Sequence, residues 1–189
     1  MKGDYMADKK QRLLELIKLL SYEKREVTLT SGKKSSYYID GKQTTLDPEG
    51  AYLTGELFTD IIKKEFGEAN GVGGITLGAD PIISAVMIAG YTRGLRLKGF
   101  IVRKEAKGHG TGAWIEGLKG FQPGDRVVIV EDVVTTGGSA IKAVEKAQDA
   151  GLKVLGIIAI VDRLEGGREL IESKGYRLFS LFTKADLGE

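Results

Sequence analysis

Four short apolar runs without polar alternation most constrain this chain: Val72 to Thr76, Phe100 to Arg103, Val127 to Val130 and Val154 to Val161. A strand that is apolar on both sides must be covered on both faces, which is the habit of parallel sheets. The first run precedes a helical stretch from Pro81 to Arg93, the second a glycine-rich loop, and the third a helical stretch from Gly137 to Ala150. This alternation predicts an α/β fold with a central, mostly parallel sheet flanked by helices and joined by right-handed crossovers. Ligands of such sheets bind beyond the carboxyl ends of the strands. The residues after Thr76, Val102, Val130 and Val161 are therefore the places to look for chemistry.

The 189 residues, 42% hydrophobic and 29% charged, suit one compact domain, a size at which about 70% of the unfolded surface is buried. The absence of cysteine excludes disulfides, thiolate metal sites and a cysteine nucleophile. A net charge of +2 leaves no general basic field, so nucleic acid is not an expected partner. The opening residues Met1 to Lys10 are polar, and the longest purely apolar runs, Ala85 to Ala89 and Ile157 to Val161, fall far short of the roughly 18 residues of a membrane span. A cytoplasmic protein with no membrane partner is expected.

Before the first run, Leu13, Leu16, Ile17 and Leu20 recur at helical spacing, predicting an amphipathic helix from Asp8 to Leu20. Val27 to Leu29 and Tyr37 to Asp40 read as two short strands around the polar turn Thr30 to Ser36. Asp47 is placed to cap a second helix with Pro48 at its first position, its stripe formed by Leu53, Leu57, Phe58, Ile61, Ile62 and Phe66. Tyr176 to Thr183 reads as a final apolar strand.

The chemistry concentrates in Val127 to Ser139, where a buried strand ends in Glu131 and Asp132 and a turn, Thr135-Thr136-Gly137-Gly138-Ser139, opens a helix. Gly137 and Gly138 let backbone approach a ligand, and the hydroxyls join unpaired helix N–H groups to cradle a phosphate. A glycine-rich turn alone merely caps a helix. Paired acids directly after four apolar residues are harder to explain that way. They would repel the phosphate and instead accept hydrogen bonds from neutral hydroxyls such as those of a ribose. No Gly-Lys-Ser/Thr loop is present, and Thr76 stands where a dinucleotide motif needs its third glycine.

The stretch Val128 to Ser139 is similar to the phosphoribosyl pyrophosphate (PRPP) signature of the type I phosphoribosyltransferases. Arg103-Lys104-Glu105-Ala106-Lys107-Gly108-His109-Gly110, Thr30 to Asp40, and Asp162-Arg163 resemble the catalytic loop, orotate-binding segment and orotate-contacting arginine of the orotate phosphoribosyltransferase family. The resemblance implies a single domain over 1–189, with a small hood from about 1–45 plus the C-terminal end, and a lid loop at 104–115. It implies PRPP contacts by Arg103, Lys104, Lys107, His109, Glu131, Asp132, Val133, Val134, Thr135, Thr136, Gly137, Gly138 and Ser139. Orotate contacts fall on Thr135, Arg163, Tyr38 and Ile39, and catalytic roles on Lys107, His109, Arg103 and Asp132. Mg2+ is implied as cofactor, held mainly through PRPP with Asp132 acting indirectly, and so is a homodimer whose Lys104 reaches the partner's site.

On physical grounds, the cations of the loop would close over the pyrophosphate leaving group, and the glycines at 108, 110 and 112 would let the loop swing. His109, the one histidine, would donate a hydrogen bond or a proton near neutral pH. As plain sequence, Tyr37-Tyr38-Ile39 reads equally well as half-buried strand. Two positions depart from many relatives: Thr30 replaces a lysine for which Lys33 or Lys34 would substitute, and Leu77-Gly78 replaces a Tyr-Lys pair. A purine-directed transferase would not need the Thr30 to Asp40 segment or Arg163. A nucleotide-sensing regulator would need a basic face that the charge of +2 does not supply.

Overall fold

The structure, a computed structural model, describes residues 2–28, 34–106 and 113–189. The first helix, α1 (Lys2–Leu16), starts six residues before the expected Asp8 and runs into a π-helical turn, Ile17–Ser21. The wider turn changes which side chains face inward. Leu13, Leu16 and Ile17 are buried as expected, but Leu20 is 36% exposed and Ser21 is buried in its place. There the Ser21 hydroxyl lies 2.6 Å from that of Thr44 and accepts the Thr44 N–H.

Strands β1 (Tyr22–Glu23), β2 (Val27–Thr28), β3 (Lys34–Ser35) and β4 (Tyr38–Ile39) form two small antiparallel pairs, β1 with β4 and β2 with β3. The stretch read as one polar turn thus contains a strand, and Tyr38 pairs back with Glu23. A short helix α2 (Gly41–Thr45) follows, with the Asp40 carboxylate accepting the Lys42 N–H at its start. Asp47 caps α3 (Pro48–Glu65) as expected, accepting from the N–H groups of Glu49 and Gly50.

The rest is the predicted α/β unit: β5 (Gly71–Ile75), α4 (Ala79–Thr92), β6 (Lys98–Val102), β7 (Ile115–Glu116), β8 (Arg126–Val134), α5 (Gly138–Asp149), β9 (Lys153–Asp162), α6 (Gly167–Ser173), β10 (Leu178–Thr183) and α7 (Lys184–Leu187). The six-stranded sheet has the order β10-β9-β8-β5-β6-β7, parallel except for β7 at one edge. Side chains alternate between two cores. Val128, Val130, Ile158 and Ile160 meet Leu13, Phe58 and Ile82 of α1, α3 and α4 on one face. Val127, Ile129, Ile157 and Ala159 meet Ala143, Val144 and Ile171 of α5 and α6 on the other.

β8 does not end before the acids. Its ladder with the long β9 continues through Glu131↔Ala159, Val133↔Val161 and Val134↔Asp162. The strand order reverses between β5 and β8, since β6 lies on one side of β5 and β8, β9 and β10 extend on the other. In open α/β sheets that reversal opens a crevice at the carboxyl ends. Among the described residues no helix is long and apolar enough to cross a membrane.

Candidate active site

A cavity of about 280 Å³ opens at this crevice, lined by Ile75 to Gly78 after β5, Glu131 to Ala140 at the end of β8, and Lys42 and Lys104. Two helices begin on its wall, α4 at Ala79 and α5 at Gly138. Each directs unpaired backbone N–H groups and the positive end of its dipole there, an arrangement that suits anions. The bend before α5 depends on close packing. Gly137 has φ +79°, and a Cβ on it would lie 2.9 Å from the Gly167 carbonyl at the start of α6. Gly138 faces open space, so its backbone is accessible to a ligand.

The acids lie inside this frame. Glu131 is 6% exposed, and among the described residues its Oε2 has no hydrogen-bond partner. Burial, followed by the neighbouring Asp132 charge, pushes its pKa well above the usual carboxylate range, against a smaller pull from Lys104. Burial also raises Asp132, although its Oδ1 accepts the Val133 N–H at 2.8 Å and Lys42 acts in the opposite direction. Asp132 is gripped between two glycines: a Cβ on Gly41 would come within 2.7 Å of its Cβ, and one on Gly78 within 2.6 Å of its Oδ1. The two acids keep acceptor capacity toward the cavity, which a pair of hydroxyls would satisfy.

At the loop after β5, Thr76 donates its hydroxyl to Asp80 Oδ2 at 2.7 Å and its N–H to the Val102 carbonyl. The Thr76–Leu77 peptide is cis. A second hollow next to the first shares Thr76 and Lys104 and includes Asp80, Arg103 and Glu116. Arg103 donates Nη1–H to Glu116 at 3.0 Å, and its backbone N–H to the Trp114 carbonyl joins the two ends of the loop. Trp114 packs beneath Lys142 and Lys146 of α5, with both ammonium groups within 5.0 Å of the ring centre.

Residues 81–184 match the family described as the phosphoribosyl transferase domain. Orotate phosphoribosyltransferase of Aquifex aeolicus is 48% identical over 181 residues, covering 94% of this chain and 97% of that protein. The chain belongs to the orotate phosphoribosyltransferases. The enzyme of Rhodopirellula baltica is 45% identical over 180 residues, covering 93% of this chain and 92% of its own. Among solved structures, Mycobacterium tuberculosis orotate phosphoribosyltransferase in complex with PRPP superposes with a TM-score of 0.79 at 38% identity, covering 96% of this chain and 99% of that one. The expected fold, a central mostly parallel sheet flanked by helices, is that of this enzyme family.

For an orotate phosphoribosyltransferase, the structure gathers Lys104, Glu131, Asp132, Val133, Val134, Thr135, Thr136, Gly137, Gly138 and Ser139 around one cavity. Lys107 and His109 lie outside the described residues, as do Thr30 and Lys33. Arg163 does not line the cavity. It is 2% exposed, with Nε–H donated to Glu165 at 2.9 Å, Nη2–H to Ser35 at 3.0 Å, and its guanidinium 4.3 Å from the Tyr37 ring centre. Its backbone N–H bonds the Val134 carbonyl, which ties it to the end of β8. The adjacent Asp162 pairs with Arg168 instead, at 2.9 Å. The Ile39 side chain is buried in the core and Tyr38 stacks under Arg25, so only their backbone is suited to a ligand. Lys42 is the cavity residue that sequence reasoning missed; the signal was a lysine two residues past Asp40, hidden in a polar segment.

Proposed function

We propose that this enzyme transfers ribose 5-phosphate from PRPP to orotate, giving orotidine 5′-monophosphate and pyrophosphate in pyrimidine nucleotide synthesis. The observation that carries this reading is the meeting of two helix starts, the buried Glu131 and the half-buried Asp132 in one crevice at the sheet's switch point. The bend Thr135 to Ser139 and the start of α5 take the 5-phosphate. Glu131 and Asp132 accept from the ribose hydroxyls. The loop Thr76 to Gly78 and the start of α4 face the pyrophosphate.

In the reaction the bond from ribose C1 to the pyrophosphate oxygen breaks, and a bond from C1 to a ring nitrogen of orotate forms as that nitrogen gives up its proton. Positive charge grows on the ribose ring while negative charge grows on pyrophosphate. Catalysis is then a matter of positioning and of cations placed at the leaving group. Arg103, Lys104, Lys107 and His109 supply those cations from the loop, with His109 donating a hydrogen bond or a proton. Thr135, Arg163 and the backbone at Tyr38 and Ile39 hold orotate, with the guanidinium of Arg163 turning from its partners Glu165 and Ser35 toward the orotate carboxylate.

Phosphoribosyltransferases generally use Mg2+ with PRPP, and the residues here fit a loosely held ion. Among the described residues no group of three or more His, Cys, Asp and Glu side chains could hold a metal alone, while the unpartnered Glu131 Oε2 and the adjacent Asp132 can orient a hydrated one. Bound with PRPP, Mg2+ supplies charge neutralisation at the pyrophosphate. The same proposal includes a homodimer in which Lys104, at the rim of its own cavity in the single chain, serves the partner's site. It is supported by an exposed apolar groove along α3 and α4, where Tyr52, Ile88 and Tyr91 are 54%, 67% and 71% exposed.

The test is pyrophosphate release with orotate and Mg2+ each present or omitted, for the wild type and Lys107→Ala. Release is expected to require both, and Lys107→Ala to lower kcat by at least about 100-fold without a change in melting temperature. Release without orotate would remove the acceptor; full turnover in the variant would remove Lys107 from the mechanism.

A further inference from the structure

PRPP carries three phosphates, and within the described lining of the cavity two side chains are cationic, Lys42 and Lys104. They differ in how firmly they are held. Lys104 is exposed at the start of the loop. Lys42 is fixed at the start of α2, its Nζ 2.5 Å from Asp40 Oδ1, and that same oxygen accepts the Lys42 backbone N–H while Oδ2 accepts from Gln43. Asp40 therefore sets both the helix start and the direction of the lysine side chain.

The backbone places this ammonium at a particular point. Gly41 and Gly78 press on the same Asp132 carboxylate from two elements, so Lys42 stands where the acids adjoin the loop Thr76 to Gly78. That loop contributes no cationic side chain of its own, and Leu77 is 63% exposed beside the cavity. A polyanion bound there meets the Asp132 carboxylate on one side, and a cation beside it offsets that repulsion. Burial would lower the Lys42 pKa, but the hydrogen bond to Asp40 and the nearby Asp132 charge outweigh it, so the group stays protonated.

We propose that Lys42 is a binding residue for the pyrophosphate portion of the donor, a fixed cation between Asp132 and the start of α4. The proposal deepens the reading above and rests on it. A fixed ammonium needs no loop movement to reach its ligand, so it contributes to ground-state binding of the donor and of free pyrophosphate.

The experiment compares the wild type, Lys42→Gln, Lys42→Arg, Asp40→Asn and the double variant Lys42→Gln with Leu77→Lys. For each, KM is measured for PRPP and for orotate, and the Kd of inorganic pyrophosphate with Mg2+ by calorimetry. Lys42→Gln is expected to raise the PRPP KM and the pyrophosphate Kd about tenfold or more, the scale of one lost charge-assisted hydrogen bond, with the orotate KM changed less than about twofold. Lys42→Arg keeps most of the affinity, and Leu77→Lys restores part of it to the Gln variant from the adjoining loop, which a purely structural role for Lys42 would not permit. Asp40→Asn, which retains the lysine and loosens its anchor, gives an intermediate rise and decides the matter if Lys42→Gln does not fold. An unchanged pyrophosphate Kd in Lys42→Gln, or an equal rise in both KM values, overturns the assignment. Wild-type protein that binds pyrophosphate through Lys42 but does not use orotate would instead overturn the acceptor and leave the lysine's role standing.

Discussion

Glu131 shows what the site costs the fold. Its carboxyl is buried beside Asp132, and burial with that neighbouring charge holds its pKa well above the ordinary value. Between the ordinary and the raised pKa, the folded protein holds a proton that the unfolded chain has released, so this contribution to stability falls as pH rises through the window. Glu131→Gln removes the titration. Thermal melts at about pH 5 and about pH 8 should show the variant losing less stability across the range than the wild type, and melting higher at the upper end, while its PRPP KM rises. Parallel pH dependences in the two proteins would mean that Glu131 is not held protonated. The pair of acids was legible in the sequence because charge directly after an apolar strand is hard to explain otherwise. Lys42 was not, because nothing local reveals that Gly41 is pressed against Asp132 from a distant part of the chain. For Arg163 the guanidinium fork was legible but not its partners Ser35 and Glu165, of which Ser35 lies 128 residues away.

At the level of elements, the start of α5 is held in place by α6. The close approach of Gly137 to Gly167, together with φ +79° at Gly137, fixes the bend that presents Gly138 and Ser139 to the cavity. Gly137→Ala adds a left-handed strain of about 1–2 kcal/mol and a clash with the Gly167 carbonyl. It should therefore melt lower and bind inorganic phosphate about tenfold or more weakly, by calorimetry. Gly138→Ala, with nothing within 4 Å of its added Cβ and no positive φ, should keep the wild-type melting temperature. Equal melting of the two variants would refute the packing account. The glycines and hydroxyls marked this bend in the sequence, and apolar runs without polar alternation marked the strands because burial on both faces demands them. The ends were less visible. β8 runs to Val134 since β9 is long enough to keep pairing with it, and two-residue strands such as β1 and β4 are too short to show any periodicity.

For the whole molecule, the sheet's switch point and the exposed α4 face lie on one element: the helix that opens at the cavity carries Ile88 and Tyr91 on its outer surface. Ile88 and Thr92 border both hollows of that face, which join into one apolar groove reaching Tyr52 on α3. Contiguous apolar surface of this kind is uncommon on a monomer, and a second copy seated there would pack against the far end of the helix whose start faces pyrophosphate. Dimerisation and catalysis should then fail together. Ile88→Glu leaves the core intact, because the side chain already faces solvent, but places two like charges in a self-complementary interface. Sedimentation velocity at micromolar concentration should show the wild type as a dimer and Ile88→Glu as a monomer with an unchanged melting midpoint for its fold. Its kcat should fall at least about tenfold, since each site would lose the cation offered by the partner. A variant that sediments as a dimer would place the interface elsewhere, and a fully active monomer would show that each site is complete within one chain.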